Sequence, residues 1–181
     1  MYRKPLVEVI IASLVLLTAA HILACSDDNG GASQASTTTP YVRLGLTPAV
    51  VTRVVDGDTI RVEIDGDEYR LRYIGIDAPE TGQSGGATEC FSNEATERNR
   101  DLVDGQTVGL EKDISETDGF DRLLRYVWLE DSLVNAVLVE EGYALARKYP
   151  PDTRHNEQLA ALQTRAREAS LGIWGPPCHA P

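Results

Sequence analysis

The stretch VVTRVVDGDTIRVEIDGDEYRLRYIGIDAPET, residues 50–81, is three apolar-polar alternations separated by two short turns. Val50, Val51, Val54 and Val55 precede Asp56-Gly57. Ile60, Val62 and Ile64 follow it, which is the pattern of two strands meeting at a hairpin. Asp65-Gly66-Asp67 is a second turn signal. After it, Tyr69, Leu71 and Tyr73 alternate with Arg70 and Arg72, so a third strand is expected with one polar face. Three consecutive strands joined by tight turns make a meander. Further along, a Gly-rich loop at 81–88 precedes a helix that Ser92 or Asn93 can cap and that ends at Asp104-Gly105. Strand patterns follow at 107–110 and 123–129, and a short helix at 134–141 ends at Gly142. A longer helix at 156–169 has Leu159, Leu162, Ala166 and Ala169 on one face. Five strands, the first three contiguous, with helices, imply an α+β domain: a small closed barrel carrying helices.

The folded part is expected over residues 47–177, leaving a tail at 178–181. Upstream, Arg3 and Lys4 precede an apolar run from Val9 to Ala20, as in a secretory signal. A transmembrane anchor is the alternative, but Val9 to Ala24 is shorter than the ~20 residues a span needs, and His21 interrupts it. Ile22-Leu23-Ala24-Cys25 resembles a bacterial lipobox, which implies cleavage before Cys25 and its acylation. Residues 1–25 are thus read as a lipoprotein signal peptide and 26–46 as a polar tether too hydrophilic to pack. The expected location is outside the cytoplasm, on the membrane through lipid on Cys25 or secreted.

The 181 residues suit one domain with extensions. A hydrophobic fraction of 42% with 25% charged residues excludes a wholly disordered chain and a polytopic membrane protein. The net charge of −11 argues against a protein held on nucleic acid by a basic face, though not against an enzyme that touches it briefly. Three cysteines without a C-x-x-C spacing make no zinc site. With Cys25 acylated, Cys90 and Cys178 remain as an even pair in an oxidising setting, and a disulfide is expected between them. Two buried thiols are the alternative.

Three segments carry chemistry. Asp56-Gly57-Asp58-Thr59 is by itself compatible with a mere turn. Arg72 to Thr81 delivers Asp77 and Glu80 from a strand end beside Pro79. Asp118 to Tyr126 is a loop feeding a strand, with Arg122 at its edge. Taken together, Asp58 and Asp77 are hard oxygen donors on the meander, suited to Ca²⁺ or Mg²⁺ and not to Zn²⁺ or Cu²⁺. Arg72 and Arg122 are planar forks suited to phosphate. Glu80 is a free carboxylate able to take a proton from water. A metal, two guanidiniums and a base are the parts of phosphodiester hydrolysis.

These residues resemble the staphylococcal nuclease (thermonuclease) family. The resemblance is carried by Val-Val-Asp-Gly-Asp-Thr at 54–59, Arg72 with Ile-Gly-Ile-Asp-Ala-Pro-Glu-Thr at 74–81, and Asp-Arg-Leu-Leu-Arg-Tyr-Val-Trp at 121–128. Val-Asn-Ala-Val-Leu-Val-Glu-Glu-Gly-Tyr-Ala at 134–144 and Leu-Gly-Ile-Trp at 171–174 continue it in order. It implies a five-stranded OB-fold barrel with three helices and Ca²⁺-dependent hydrolysis of DNA and RNA that leaves 3′-phosphate ends; a monomer is expected. Asp58, Asp77 and the backbone carbonyl of Ala78 would bind Ca²⁺. Glu80 would be the general base, and Arg72 and Arg122 would hold the phosphate. Tyr149 would contact substrate. The sequence departs from the family at Gly119 and Phe120, where a basic residue and a Tyr often contact a terminal phosphate, and at Arg147, where a first Tyr would stand. A non-catalytic binding module of the same fold on the cell surface is the competing reading. So is a lipoprotein with a purely structural Ca²⁺ site, against which two guanidiniums beside a cation site argue by repulsion.

Overall fold

The structure, a computed structural model, describes residues 45–82, 87–176 and 178. The expected signal peptide, Cys25 with its expected acylation, most of the tether and the tail beyond Cys178 lie outside them. The element order is β1 (Thr47–Val54), β2 (Thr59–Ile64), β3 (Asp67–Tyr73), β4 (Ile76–Asp77), α1 (Ser92–Val103), β5 (Thr107–Glu111), β6 (Leu123–Leu129), β7 (Ser132–Leu133), α2 (Val134–Glu140), β8 (Leu145–Ala146) and α3 (Asn156–Glu168), followed by a single 3₁₀ turn at Gly172–Trp174.

The expected meander is present. β1 pairs antiparallel with β2 and β2 with β3. Asp65 and Gly66 both take positive φ, 53° and 93°, as the tightest right-twisting hairpin turn requires. β5 joins the free edge of β1, and β6 joins β5. A parallel pairing of β3 with β6, Leu71 opposite Leu123, closes the five long strands into a barrel. Closure leaves none of these five strands as an edge of the barrel wall. The fold is the small closed barrel carrying helices that the alternations implied, and the α+β, OB-type barrel with three helices that the family resemblance implied.

The interior follows the period-2 pattern with one interruption. Ala49 and Val51 point inward on β1, but so does Val54, while Thr52 and Arg53 are both exposed. A register irregularity between Val51 and Arg53 shifts the inward set by one residue. Ile60, Val62, Leu71, Tyr73, Val108, Leu110 and Val127 fill the barrel. α3 packs on α2 through Leu159, Leu162 and Ala166. Ala169, expected on that face, is exposed because the helix stops at Glu168 and Ala169 is its cap. α1 likewise begins at Ser92 without a side-chain cap, with Phe91 in the left-handed region before it. After α2 the chain turns at Gly142, and a Cβ there would lie 2.4 Å from the Leu171 carbonyl oxygen. That close approach lets the Ile173 N–H donate to the Gly142 carbonyl, docking the end of the domain on α2.

Two buried asparagines fasten the helices to the barrel. Asn135 accepts from the Val127 N–H and donates to the Ile74 carbonyl, both at 2.9 Å. Asn99, on α1, accepts from the Tyr73 hydroxyl and donates to the Asp56 carbonyl, also both at 2.9 Å. Cys90 and Cys178 form the expected disulfide, with Cα atoms 5.7 Å apart across a separation of 88 residues. It ties the start of α1 to the end of the domain. Among the described residues no helix is long and apolar enough to cross a membrane.

Candidate active site

The site assembles where the β1–β2 turn meets the chain leaving β3. Asp58 lies in that turn, and Asp56 shapes it by accepting the Asp58 N–H at 3.1 Å. Gly57 is required by packing: a Cβ there would sit 2.6 Å from that of Ala78 and 3.0 Å from that of Ala95. With no side chain in the way, the turn lies against residue 78, and the Ala78 N–H donates to Asp58 Oδ2 at 2.7 Å. Asp77 was expected on the meander beside Asp58. Instead it sits on the two-residue strand β4, which pairs with β8 and not with the barrel. Alternation over two residues leaves no readable signal, so this pairing was not legible in the sequence.

One guanidinium bridges the two carboxylates. Arg72 forms an ion pair with Asp58 Oδ1 and another with Asp77 Oδ1, the second at 2.9 Å. Asp77 Oδ2 faces Arg147 Nε at 3.5 Å. Asp58 is only 1% exposed. Burial pushes its carboxyl well above the usual carboxylate range, with Asp56 adding to the rise and Arg72 opposing it. Burial alone would lower the Arg72 guanidinium, but the Asp58 and Asp77 charges outweigh it and hold it above its ordinary value.

Beside this cluster opens a cleft of about 760 Å³. Arg72, Glu80, Arg122 and Tyr149 all line it. Glu80 is exposed, and its backbone is held on both sides by Glu89. Its N–H donates to Glu89 Oε2 at 3.0 Å, and its carbonyl accepts from the Glu89 N–H at 2.8 Å. Glu89 directly precedes the disulfide-bonded Cys90. Arg122 is oriented by Asp118, whose Oδ2 accepts from Nε at 2.7 Å. Asp118 Oδ1 also takes the N–H groups of Phe120 and Arg122 at 2.9 and 3.0 Å. Burial alone would raise Asp118, but the Arg122 bonds hold it below the usual range. The Arg122 guanidinium lies 5.5 Å from the centre of the Phe120 ring, which is 76% exposed at the cleft mouth. Burial and the Asp77 charge raise the Tyr149 hydroxyl.

The structure therefore brings Arg72, Glu80, Arg122 and Tyr149 to one cleft, while Asp58, Asp77 and Ala78 meet beside it around Arg72 and are not among the residues that line it. It also adds residues that sequence reasoning left out as partners: Asp118 for Arg122, Asn99 behind the turn, Glu89 behind Glu80, and Asp152. The Asp152 carboxylate takes the Ile114 and Ser115 N–H groups at 2.9 and 2.8 Å and fixes part of the cleft wall. Asp118 was the readable one, because an Asp four residues before an Arg in a turn can close on it. The others act across 9 to 43 residues, beyond any local pattern.

As a cation site, the donor set is two carboxylates and the Ala78 backbone. No cluster of three or more His, Cys, Asp or Glu that could hold a metal occurs among the described residues. The donors are nonetheless hard oxygens, one of them the buried Asp58 carboxylate. They fit a divalent ion that completes its coordination with water and phosphate oxygens, and not a thiolate or imidazole metal.

Comparison with known proteins agrees with this fold. The profile of the family described as "Staphylococcal nuclease homologue" matches residues 70–176. That span holds Arg72, Asp77, Ala78, Glu80, Arg122 and Tyr149, and begins after Asp58. The thermonuclease of Staphylococcus hyicus is 36% identical over 140 residues, covering 75% of this chain and 83% of the relative. That of Staphylococcus intermedius is 37% identical over 125 residues, covering 69% and 74%. The micrococcal nuclease of Shigella flexneri is 33% identical over 139 residues, covering 70% and 73%. With more than half its length matched by the family profile and its barrel, helices and cleft built as described, the chain belongs to the staphylococcal nuclease family.

Proposed function

We infer that this chain is a Ca²⁺-dependent nuclease that hydrolyses the phosphodiester bonds of DNA and RNA with little sequence preference. The observation that carries the reading is the convergence of Arg72, Glu80 and Arg122 on one cleft beside the Asp58–Asp77 pair. Asp58, Asp77 and the Ala78 carbonyl would hold the ion, which when bound supplies a Lewis acid for a phosphate oxygen. Arg72 and Arg122 hold the phosphate and neutralise the charge that grows on it as water attacks. Asp118 fixes the direction of the Arg122 fork, which keeps that donor preorganised. Glu80 accepts the proton of the attacking water. The water oxygen bonds to phosphorus, the bond to the 5′ oxygen breaks, and solvent in the open cleft protonates the departing 5′ oxygen. The products carry 3′-phosphate and 5′-hydroxyl ends. Among the described residues nothing lining the cleft is arranged to read base edges, and the acidic composition keeps affinity weak and dependent on the cation.

Incubation of the full-length protein with single-stranded DNA and with RNA tests this reading. Cleavage is expected with Ca²⁺ and is expected to stop with EGTA. Ends refractory to polymerase extension until treated with phosphatase would identify the 3′-phosphate. Binding without cleavage under any divalent ion would overturn the enzyme reading in favour of a binding module.

The chain is further proposed to act outside the cytoplasm as a monomer, anchored through lipid on Cys25. Metabolic labelling with a radiolabelled fatty acid should mark the wild-type protein and not Cys25→Ser. Label retained in the variant would sink the anchor.

A further inference from the structure

The row of guanidiniums on the cleft wall does not end at the reaction centre. Arg70 lies two residues before Arg72 on β3, so the two side chains leave the same face of the strand about 7 Å apart. Both line the cleft. β6 runs parallel to β3 with Leu124 opposite Arg72, and Leu124 and Arg122 line the cleft too. One wall is therefore built from alternate residues of two adjoining strands, and Arg70 stands at its outer end beside the start of β6.

What holds each of these cations differs. Arg72 is tied to Asp58 and Asp77, and Arg122 to Asp118. Arg61, directly across from Arg70 on β2, is tied to Glu68 at 2.6 Å. Arg70 makes no ion pair among the described residues, in a chain with 28 carboxylates and only 17 Lys and Arg. Like charges directly opposite on neighbouring strands are destabilising. An unpaired Arg facing another Arg does nothing for the sheet, but it prolongs a positive track along a cleft in an otherwise acidic protein.

We propose that Arg70 is a second phosphate-binding group, holding the phosphodiester that neighbours the scissile one on the same nucleic-acid strand. The inference rests on the nuclease reading, since it presumes the scissile phosphate at Arg72 and Arg122. A strand advancing two residues spans about the separation of consecutive phosphates, so one polynucleotide backbone can meet both guanidiniums. Arg70 then favours substrates longer than one phosphodiester and offsets part of the repulsion from the acidic surface.

The test compares a dinucleoside monophosphate, which has no neighbouring phosphate, with a ten-residue oligothymidylate. The full-length wild type, Arg70→Gln, Arg70→Lys and Glu80→Gln are measured side by side. Arg70→Gln is expected to raise KM for the oligonucleotide several-fold more than for the dinucleotide, with kcat little changed, and Arg70→Lys to recover most of the loss. Anisotropy of the labelled oligonucleotide bound to Glu80→Gln, with and without Arg70→Gln, is read in parallel. The slope of log affinity against log salt should fall by about 0.7, one phosphate contact on a single strand. Equal effects on both substrates, or an unchanged salt slope, would overturn the role of Arg70. Absence of cleavage by the wild type would instead overturn the nuclease reading, leaving the salt slope to judge Arg70.

Discussion

Two polar clusters sit on this barrel, and they are built on opposite terms. In the first, Glu111 takes hydrogen bonds from Trp128 Nε1 at 2.7 Å and Arg154 Nη1 at 2.9 Å, and contacts His155 Nε2 at 2.9 Å. Burial alone would raise this carboxyl, but the contacts with His155, Trp128 and Arg154 hold it below its ordinary range. The His155 ring stands edge-on to Tyr126 at 4.5 Å, and burial pushes the Tyr126 hydroxyl up to about 12. In the second, Asp58 also has a guanidinium, a backbone N–H and the Thr59 hydroxyl, yet its carboxyl stays well above the usual range. Asp58 is deeper, has Asp56 beside it, and shares its guanidinium with Asp77. The Glu111 cluster is satisfied by its own partners and serves the fold. In the Asp58–Asp77 cluster burial opposes the Asp58 charge in spite of its partners, a perturbation of the kind that gathers at functional sites.

The sharpest way to break this contrast is a change that removes function without touching the fold. Glu80→Gln keeps shape and removes the base, so kcat should fall by about 10²–10⁴-fold while the thermal midpoint holds. A wild-type rate in initial-velocity assays would dismiss Glu80 as the base.

The disulfide provides the largest expected loss of stability. Replacing both Cys90 and Cys178 by Ser opens a long loop and should cost at most about 4–5 kcal/mol. Urea unfolding with the midpoint unmoved would show that the bond is not formed in the protein as produced.

A smaller effect is expected at Glu111. Glu111→Gln should lower unfolding free energy by about 1.5–3 kcal/mol near neutral pH, the range for hydrogen bonds to a charged group. Because the folded carboxyl lies below its unfolded value, the wild-type advantage is full above the unfolded pKa. It should be lost as pH falls through the folded one. An advantage that persisted at strongly acid pH would refute the charge-based account. Nuclease kcat should be little affected.

The smallest change is expected for Asp58→Asn in metal-free buffer. Burial already disfavours the Asp58 charge, so its neutral isostere should leave the midpoint equal or slightly higher. The upward shift that Ca²⁺ produces by binding the folded state should shrink. A Ca²⁺-induced shift equal to that of the wild type would remove Asp58 from the ion site.

Local chemistry carried much of this protein. Alternation at 59–64 and 69–73, with Asp65-Gly66 between, specified two strands and their register, because the period of a strand and the φ > 0 demand of its turn are properties of adjacent residues. The motifs holding Asp58, Asp77, Glu80, Arg72 and Arg122 were legible for the same reason: each lies within a run of ten residues or fewer. The closing of β3 on β6, the β4–β8 pairing that presents Asp77 and Arg147, and the Asn99 bond to the turn were settled only in three dimensions. Periodicity records which face of an element is covered and never which distant segment covers it. The sharing of Arg72 between two carboxylates, and the freedom of Arg70 two residues away, arise from that distant packing, so two arginines alike in sequence context end in different electrostatic states.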